Sequence, residues 1–407
     1  MNWLAPFPVI VPAADKAHLV ASRSYLTYGK SELQDKLDRN PYSYLHIINP
    51  AGTKKASERR GSDGFFRLVK DRYDSFCESG WLQKSAEEVL VIYRQSGPDH
   101  ECTGIVGALS IDGIQAGRLK LHEQTLDKRE RLFERYLKVV ECHAEPILCM
   151  FPDGESAGNK MRNAIQKWTQ SQPPQLDFST TDRIRHTAWI LDSAISKDLS
   201  EEFEAIKDIY LADGHHRVAS SLRLAEKFPG QKAKQQVLSY VVPESEIKIR
   251  GFHREVCESN WNASDWERAF SEHASSFDWQ RVTSHDSAPN QLGIIQVHSS
   301  TGNWILRRKD FDKDQVDAEA LQQTLFERSL GIADARNDER LTYIPGTKTT
   351  DELAMYVQRN PGAVLFELAP VSTEQIKATA DRGAFLPPKS TWVEPKLRSG
   401  LFIHEIR

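Results

Sequence analysis

Asp213-Gly214-His215-His216-Arg217 joins the apolar run Ile209-Tyr210-Leu211-Ala212 to a stretch with helical periodicity, and its residue types suit an anion. A glycine lets the backbone approach a ligand, a helix start offers unpaired N–H groups, and an arginine beside two imidazoles adds donors. A plain helix start, with Asp213 as N-cap and Gly214 in the turn, accounts for the first two residues. It gives no reason for two histidines followed by an arginine. Successive residues on a helix point about 100° apart, so a metal centre shared by His215 and His216 is the weaker reading. The helix dipole supplies only about 0.3–1 kcal/mol. Arg217 and backbone donors must supply the rest, at about 1.5–3 kcal/mol for each charge-assisted bond. A Mg²⁺ ion held by Asp213 would add to this.

Glu123 is a second candidate, preceded by His122, with Lys120 and Arg118 upstream. An acidic residue opening a charged helix is commonly just solvated, whereas a general base contributes about 10²–10⁴-fold to a rate. Cys142-His143 with Cys149 offers a thiol–imidazole alternative, weighed against buried cysteines and an ordinary histidine. Downstream, Leu386–Gly400 is dense in hydroxyls and cations: Lys389, Lys396 and Arg398 are candidate counter-charges for a phosphate, with Ser390 and Thr391 as hydroxyl partners. The other reading of this arm is structural, packing Trp392 and Leu397. Its prolines predict no regular structure.

The elements that must position these residues alternate between strand and helix patterns. Val89–Arg94 and Gly104–Ser110 flank Ser96-Gly97-Pro98-Asp99 as an antiparallel pair, and Ser43–Ile48 reads as a short β-rich segment. The charged stretch after Asp127 predicts an exposed helix with Leu132, Phe133, Tyr136 and Leu137 inward. Val218, Ala219, Leu222 and Ala225 share a helical face after the turn, and Val237–Val242 reads as a buried strand, giving a β-turn-α-β unit with the pentapeptide at its first junction. In the last third, Ile294–Val297 and Trp304–Leu306 form a hairpin, a helix starts near Asp317, and Val364–Leu368 precedes a capping box from Ser372 to Gln375 in a helix closed by Gly383.

At 407 residues the chain is long for one core, and two or three units are expected. The reading places an α/β region at 1–84, a core carrying the turn at 85–259, and a further α/β region with the Pro-Pro-Lys-Ser-Thr-Trp arm at 260–407. A net charge of −4 offers no global attraction to nucleic acid or an anionic membrane. The loop containing Lys54, Lys55, Arg59 and Arg60 has no interleaved aromatic and reads as solvated rather than nucleic-acid-binding. The five scattered cysteines contain no CxxC pair, which argues against a disulfide framework or a structural zinc and fits a reducing cytoplasm. No basic leader precedes the first apolar residues and no run approaches about 18 apolar residues, so neither secretion nor membrane spanning is expected.

Asn40–His46, Tyr93-Arg94-Gln95, Thr103–Gly107, Leu119–Thr125, Asp213–Arg217 and Leu386–Trp392, in that order, resemble the bacterial and archaeal domain-of-unknown-function family 1015. The Asp-Gly-His-His-Arg turn also resembles the phosphate-binding turn of the ParB/sulfiredoxin-like superfamily, which includes the free serine kinases. The resemblance implies an α/β (α+β) fold of mixed sheets with flanking helices, built on a ParB/sulfiredoxin-like core with additional N- and C-terminal α/β regions. It implies a nucleotide or phosphate-ester site, serine or phosphoserine as substrate, and Glu123 as the base by its order in the chain. The sequence departs from the family's pattern at Ser22-Arg23-Ser24-Tyr25 and at Cys142-His143-Ala144-Glu145-Pro146.

The expectation is a cytoplasmic phosphoryl-transfer enzyme for a small hydroxyl metabolite, a serine kinase or a phosphoserine phosphatase. Its catalytic set is Glu123, His122, His215 and His216. Its phosphate set is Asp213, Gly214, His215, His216, Arg217, Lys120, Lys389, Ser390, Thr391 and Lys396, with Mg²⁺ on Asp213 and an adenine nucleotide as substrate. The alternative is a nucleotide-binding regulatory module without turnover. No direct nucleic-acid or membrane partner is expected.

Overall fold

Val91–Ser96 and Glu101–Ser110 form the expected antiparallel pair, with Tyr93 opposite Gly104 and Ser96 opposite Glu101. A computed structural model of the chain describes residues 2–50, 58–257, 259–273, 275–285, 288–289, 291–309, 312 and 315–407. Lys54 and Lys55 lie outside the described residues. The fold is α+β, with several sheets and flanking helices, of which the largest sheet is mixed and the others antiparallel. The chain divides into two compact units: one of Met1–Lys120, Thr125–Ile247 and Pro395–Arg407, the other of Leu121–Gln124 and Lys248–Glu394.

The first unit is built on a nine-stranded sheet whose main path runs through Leu119–Lys120, Ile209–Asp213, Ile147–Phe151, Gln236–Pro243, Glu101–Ser110, Val91–Ser96, Arg185–Ile190 and Leu176–Ser179. Gln236–Pro243 and Ile147–Phe151 are buried along their whole length and run parallel to each other. Such near-continuous apolar runs mark strands covered on both faces. Ile209–Asp213 runs antiparallel to Ile147–Phe151, so it opposes Gln236–Pro243 in direction. The segment 209–243 is therefore not a parallel crossover, because its two strands run in opposite directions on either side of Ile147–Phe151. A smaller sheet orders Leu82–Lys84, Val9–Pro12, Ile403–Glu405 and Cys142–His143. Helix Asp63–Glu78 contributes Phe65, Phe66, Val69, Tyr73 and Phe76 to a buried cluster with Ile10, Leu82 and Ile403.

Two sequence readings change here. Ser43–Ile48 is not a strand: Leu45–Ile48 is a helical turn, entered by Ser43 Oγ accepting from the Leu45 N–H at 3.3 Å. A segment this short has no period to read, and a local side-chain bond decides it. Helix Asp127–Val140 buries Leu137 and Val140, whereas Leu132 and Phe133 stay exposed. Its inward face is set by helix His215–Lys227, through the Leu137–Leu224 contact and the ion pairs of Arg223 with Asp127 and Glu130 and of Lys227 with Glu134.

The second unit carries a six-stranded sheet in the order Phe277–Val282, Asn303–Arg308, Ile294–Ser299, Val364–Leu368, Phe252–Val256 and Leu341–Pro345. The expected hairpin, the helix start at Asp317, the Ser372–Gln375 capping box and the left-handed Gly383 are all present. Trp266, Phe270, Trp304 and Phe366 form its buried aromatic core. The tail is more regular than its prolines suggest: Trp392–Glu394 pairs with Lys248–Arg250, and in the first unit Ile403–Glu405 joins the smaller sheet. Among the described residues, no helix is long and apolar enough to cross a membrane.

Candidate functional site

The turn is built by a break in strand register followed by a glycine. Leu211 pairs with Cys149 and Asp213 with Leu148, so a bulge at Ala212 re-aims the strand end. Gly214 follows at φ 111°, ψ 24°, and His215–Lys227 is helical from the next residue. A Cβ at Gly214 would meet Ile147 Cγ2 at 2.9 Å and Arg217 Nε at 3.1 Å, so both the backbone angle and the space require glycine. Gly214 rather than Asp213 is the N-cap, with no side-chain cap bond. The carboxylate of Asp213 turns instead to Arg217, whose Nη2 lies 3.4 Å away.

Arg217 is also bonded to Glu145, on the loop between Cys142–His143 and Ile147–Phe151. The other oxygen of Glu145 accepts from Ser399 Oγ at 2.8 Å. Ser399 is fixed twice, by mutual backbone bonds with Ser22 at 3.2 and 2.8 Å and by Gly400 N–H donating to Ala144 O at 2.9 Å. Gly400 takes φ 79°, and a Cβ there would run into the Tyr44 ring at 2.2 Å. Glu145 thus links Arg217 to Ser399, and Ser399 in turn is paired with Ser22. Glu145 and Ser399 were not singled out as site residues by sequence. The signal available was that 142–146 and 22–25 are the two places where the chain leaves the family's pattern.

A second buried network lies in the same unit. Tyr93 Oη is 2.6 Å from His186 Nδ1, and His186 Nε2 is 3.3 Å from Thr180 Oγ1. Thr180 donates to Asp182 Oδ1 at 2.6 Å, and Arg398 Nη2 donates to Asp182 Oδ2 at 2.7 Å. Burial, helped by Arg398, pushes the His186 pKa down to about 3. Because the one hydroxyl proton of Thr180 faces Asp182, Nε2–H donates to Thr180 and Nδ1 accepts from Tyr93. Burial raises Asp182, but the bonds from Thr180 and Arg398 bring its pKa below the ordinary value. Arg398 is thereby committed to Asp182.

The remaining sequence candidates are distributed over both units. Asp213, Gly214, His215, His216 and Arg217 stay together in the turn, with His215 buried. Lys120 lies 3.7 Å from Asp208. Lys396 belongs to the first unit, whereas His122, Glu123, Lys389, Ser390 and Thr391 belong to the second. His122 is buried, and its carbonyl accepts from the Leu386 N–H at 2.8 Å. Ser390 Oγ donates to Pro387 O at 2.7 Å, closing its own turn. Arg254, buried to 2% exposure, donates to Lys389 O and Pro388 O at 2.9 and 3.0 Å. The thiol–imidazole reading of Cys142 and His143 fails on burial, which raises both the Cys142 and Cys149 thiols and holds His143 down at about 4. A protonated thiol beside a neutral imidazole is not an activated nucleophile.

A resident metal is not supported by the donor set. Among the described residues no group of three or more His, Cys, Asp or Glu side chains could hold an ion. Asp213 brings one carboxylate to the turn, and that carboxylate is on Arg217.

Several solved structures are similar to part of the chain. SbnI with a C-terminal truncation, from Staphylococcus aureus, is similar over 71% of this chain and 82% of its own, at 15% identity and a TM-score of 0.36. Free serine kinase in complex with AMP is similar over 72% and 88%, at 12% identity and 0.38. A conserved hypothetical protein from Pyrococcus furiosus is similar over 72% and 91%, at 11% and 0.36. No curated protein matches the sequence. The family described as protein of unknown function (DUF1015) matches residues 4–342, most of the chain, and the protein belongs to that family.

Proposed function

We propose that the protein binds a phosphate-bearing small molecule at Asp213–Arg217 and moves or removes a phosphoryl group on a small hydroxyl metabolite. The observation that carries this reading is Gly214 at φ 111° between a strand end and a helix of His215–Lys227, with Arg217 on the first turn. That arrangement offers helix-start N–H groups and a guanidinium to one anion. The likeness of the turn to that of the free serine kinases suggests serine or phosphoserine and an adenine nucleotide as the compounds to try. In a kinase the proposed base, Glu123, takes the proton of the attacking hydroxyl; in a phosphatase it activates water. No step is routed through Mg²⁺, since the residues of the turn do not build a site for it.

The test is a thermal-shift panel of AMP, ADP, ATP, serine and phosphoserine, followed by assays of phosphoryl exchange. Arg217→Ala should abolish the ligand-induced shift, and Glu123→Gln should keep it while lowering turnover by about 10²-fold or more. A panel without any shift, together with no exchange, would sink the proposal. Shifts without turnover would mark a nucleotide-binding regulatory module instead.

A further inference from the structure

We propose that Gln95 and Arg398 hold a carboxylate, at a site in the first unit that shares no residue with the Asp213–Arg217 turn and stands whether or not the phosphate reading holds. Two buried donors carry it. Gln95 is 4% exposed and Arg398 6%, and both Gln95 Nε2 and Arg398 Nε are without a hydrogen-bond partner among the described residues. An arginine that served only to pin the tail to Asp182 would have its buried donors met. A buried donor left unmet is costly and calls for a ligand or an ordered water.

Strand pairing puts the two donors beside one imidazole. Gln95 lies directly opposite His186 where Val91–Ser96 pairs with Arg185–Ile190, and directly opposed residues put their side chains on one face. Arg398 reaches the same ring from the tail: its Nη2 is 3.3 Å from Thr180 Oγ1, which is itself 3.3 Å from His186 Nε2. His186 serves neither donor, because Nδ1 accepts from Tyr93 and Nε2–H donates to Thr180. The Asp182 oxygens are taken by Thr180 and by Arg398 Nη2. Aromatic rings wall the place. Phe178 stacks on His186 with ring centres 5.1 Å apart, and Phe402 meets Tyr93 edge-on at 4.9 Å.

The chemistry of the donors selects the ligand. A guanidinium Nε–H and an amide NH₂ donate and never accept, so the group they take must present acceptor oxygens. An ionised carboxylate is acceptor-only, planar like both partners, and makes a charge-assisted bond to the guanidinium. The aromatic walls keep water away and strengthen that bond.

Calorimetric titration of the full chain with two matched pairs of probes, acetate with acetamide and lactate with lactamide, tests this. Each carboxylate should bind about tenfold or more tighter than its amide, because the charge-assisted bond is about twice as strong as a neutral one. Gln95→Met keeps much of the volume, removes one donor, and should weaken carboxylate binding about tenfold. In the wild-type protein, acetate should also shift the nuclear magnetic resonances of the Gln95 side-chain amide and of Arg398 Nε–H, a readout that remains if Gln95→Met fails to fold. Equal affinities for acid and amide, or no binding of either carboxylate, overturn the proposal and leave water as the occupant. A preference that survives Gln95→Met overturns it too, as do resonances unmoved by acetate, or inorganic phosphate binding in place of the carboxylates. The nucleotide panel reports on the turn alone, so the failure of either reading is seen separately.

Discussion

Glu145 is bonded to Arg217 across 72 positions of sequence, and this contact ties the 142–146 segment to the turn. Glu145 also receives the hydroxyl proton of Ser399, whose side chain is nearly inaccessible. The two bonds differ in worth. A partly exposed ion pair contributes about 0.2–1 kcal/mol, whereas a buried donor left without an acceptor costs about 1–3 kcal/mol. Glu145→Ala should therefore destabilise the protein mainly through Ser399. Glu145→Gln, which keeps an acceptor oxygen, should cost less. Urea unfolding of Glu145→Ala, Glu145→Gln and Ser399→Ala checks the order. If Ser399→Ala suppresses most of the Glu145→Ala loss in a double variant, the hydroxyl is the reason.

Gly214→Ala should be more damaging than an ordinary helix-start substitution. A side chain at φ 111° costs about 1–3 kcal/mol of backbone strain. The added methyl also presses on Ile147 Cγ2 and Arg217, at 2.9 and 3.1 Å. The expected outcome is a lower melting temperature together with a weakened ligand shift. A Gly214→Ala protein as stable and as responsive as wild type would show that the turn adopts another conformation.

What could be read from sequence follows a physical division. The turn, the Val91–Ser110 hairpin and the Ser372 capping box depend on residues close in the chain, so local chemistry reveals them. Ser43–Ile48 is not the strand its residues suggest, and on Asp127–Val140 Tyr136 and Leu137 face inward as expected while Leu132 and Phe133 do not, because a local hydroxyl bond and a distant helix decide these points. The same limit applies to the site. Asp213–Arg217 is contiguous and visible, whereas Glu145 and Ser399 reach Arg217 only after the chain has folded. Tyr93 and His186 meet because their strands pair, with His186 opposite Gln95 and Ala188 opposite Tyr93. Neither residue alone signals that contact.

Acid should destabilise the first unit through its buried histidines. Burial holds His186 and His404 at about 3 and His143 at about 4, against 6.5 for the free side chain. Below about pH 6.5 the unfolded chain takes up protons that the folded chain refuses. Their contribution is complete above that pH and is lost as pH falls toward 3–4. The melting temperature should therefore be level near neutrality and fall through pH 6 to 4. Removing one such site by His186→Gln should reduce the slope by up to about 1.4 kcal/mol per pH unit. An unchanged slope would mean that His186 is protonated in the folded protein.

Arg254 should control the order of the Pro387–Thr391 segment. Its guanidinium is buried, donates to the carbonyls of Phe252, Pro388 and Lys389, and lies 4.9 Å from the centre of the Tyr343 ring. Burial lowers its pKa to about 10, which leaves it charged at neutral pH. Lys389 sits at φ 57°, a strained angle for a residue with a Cβ, and the two arginine bonds to this turn help hold it there. Arg254→Met keeps much of the volume but leaves three carbonyls without their donor, each at a cost of about 1–3 kcal/mol if no water replaces it. Arg254→Lys restores a charge but not the planar fork. Both variants should unfold at lower denaturant, with Arg254→Met the worse, and both should raise amide hydrogen exchange at residues 389–391. Exchange confined to its wild-type rate there, despite a loss of global stability, would separate Arg254 from the turn and assign it to packing alone.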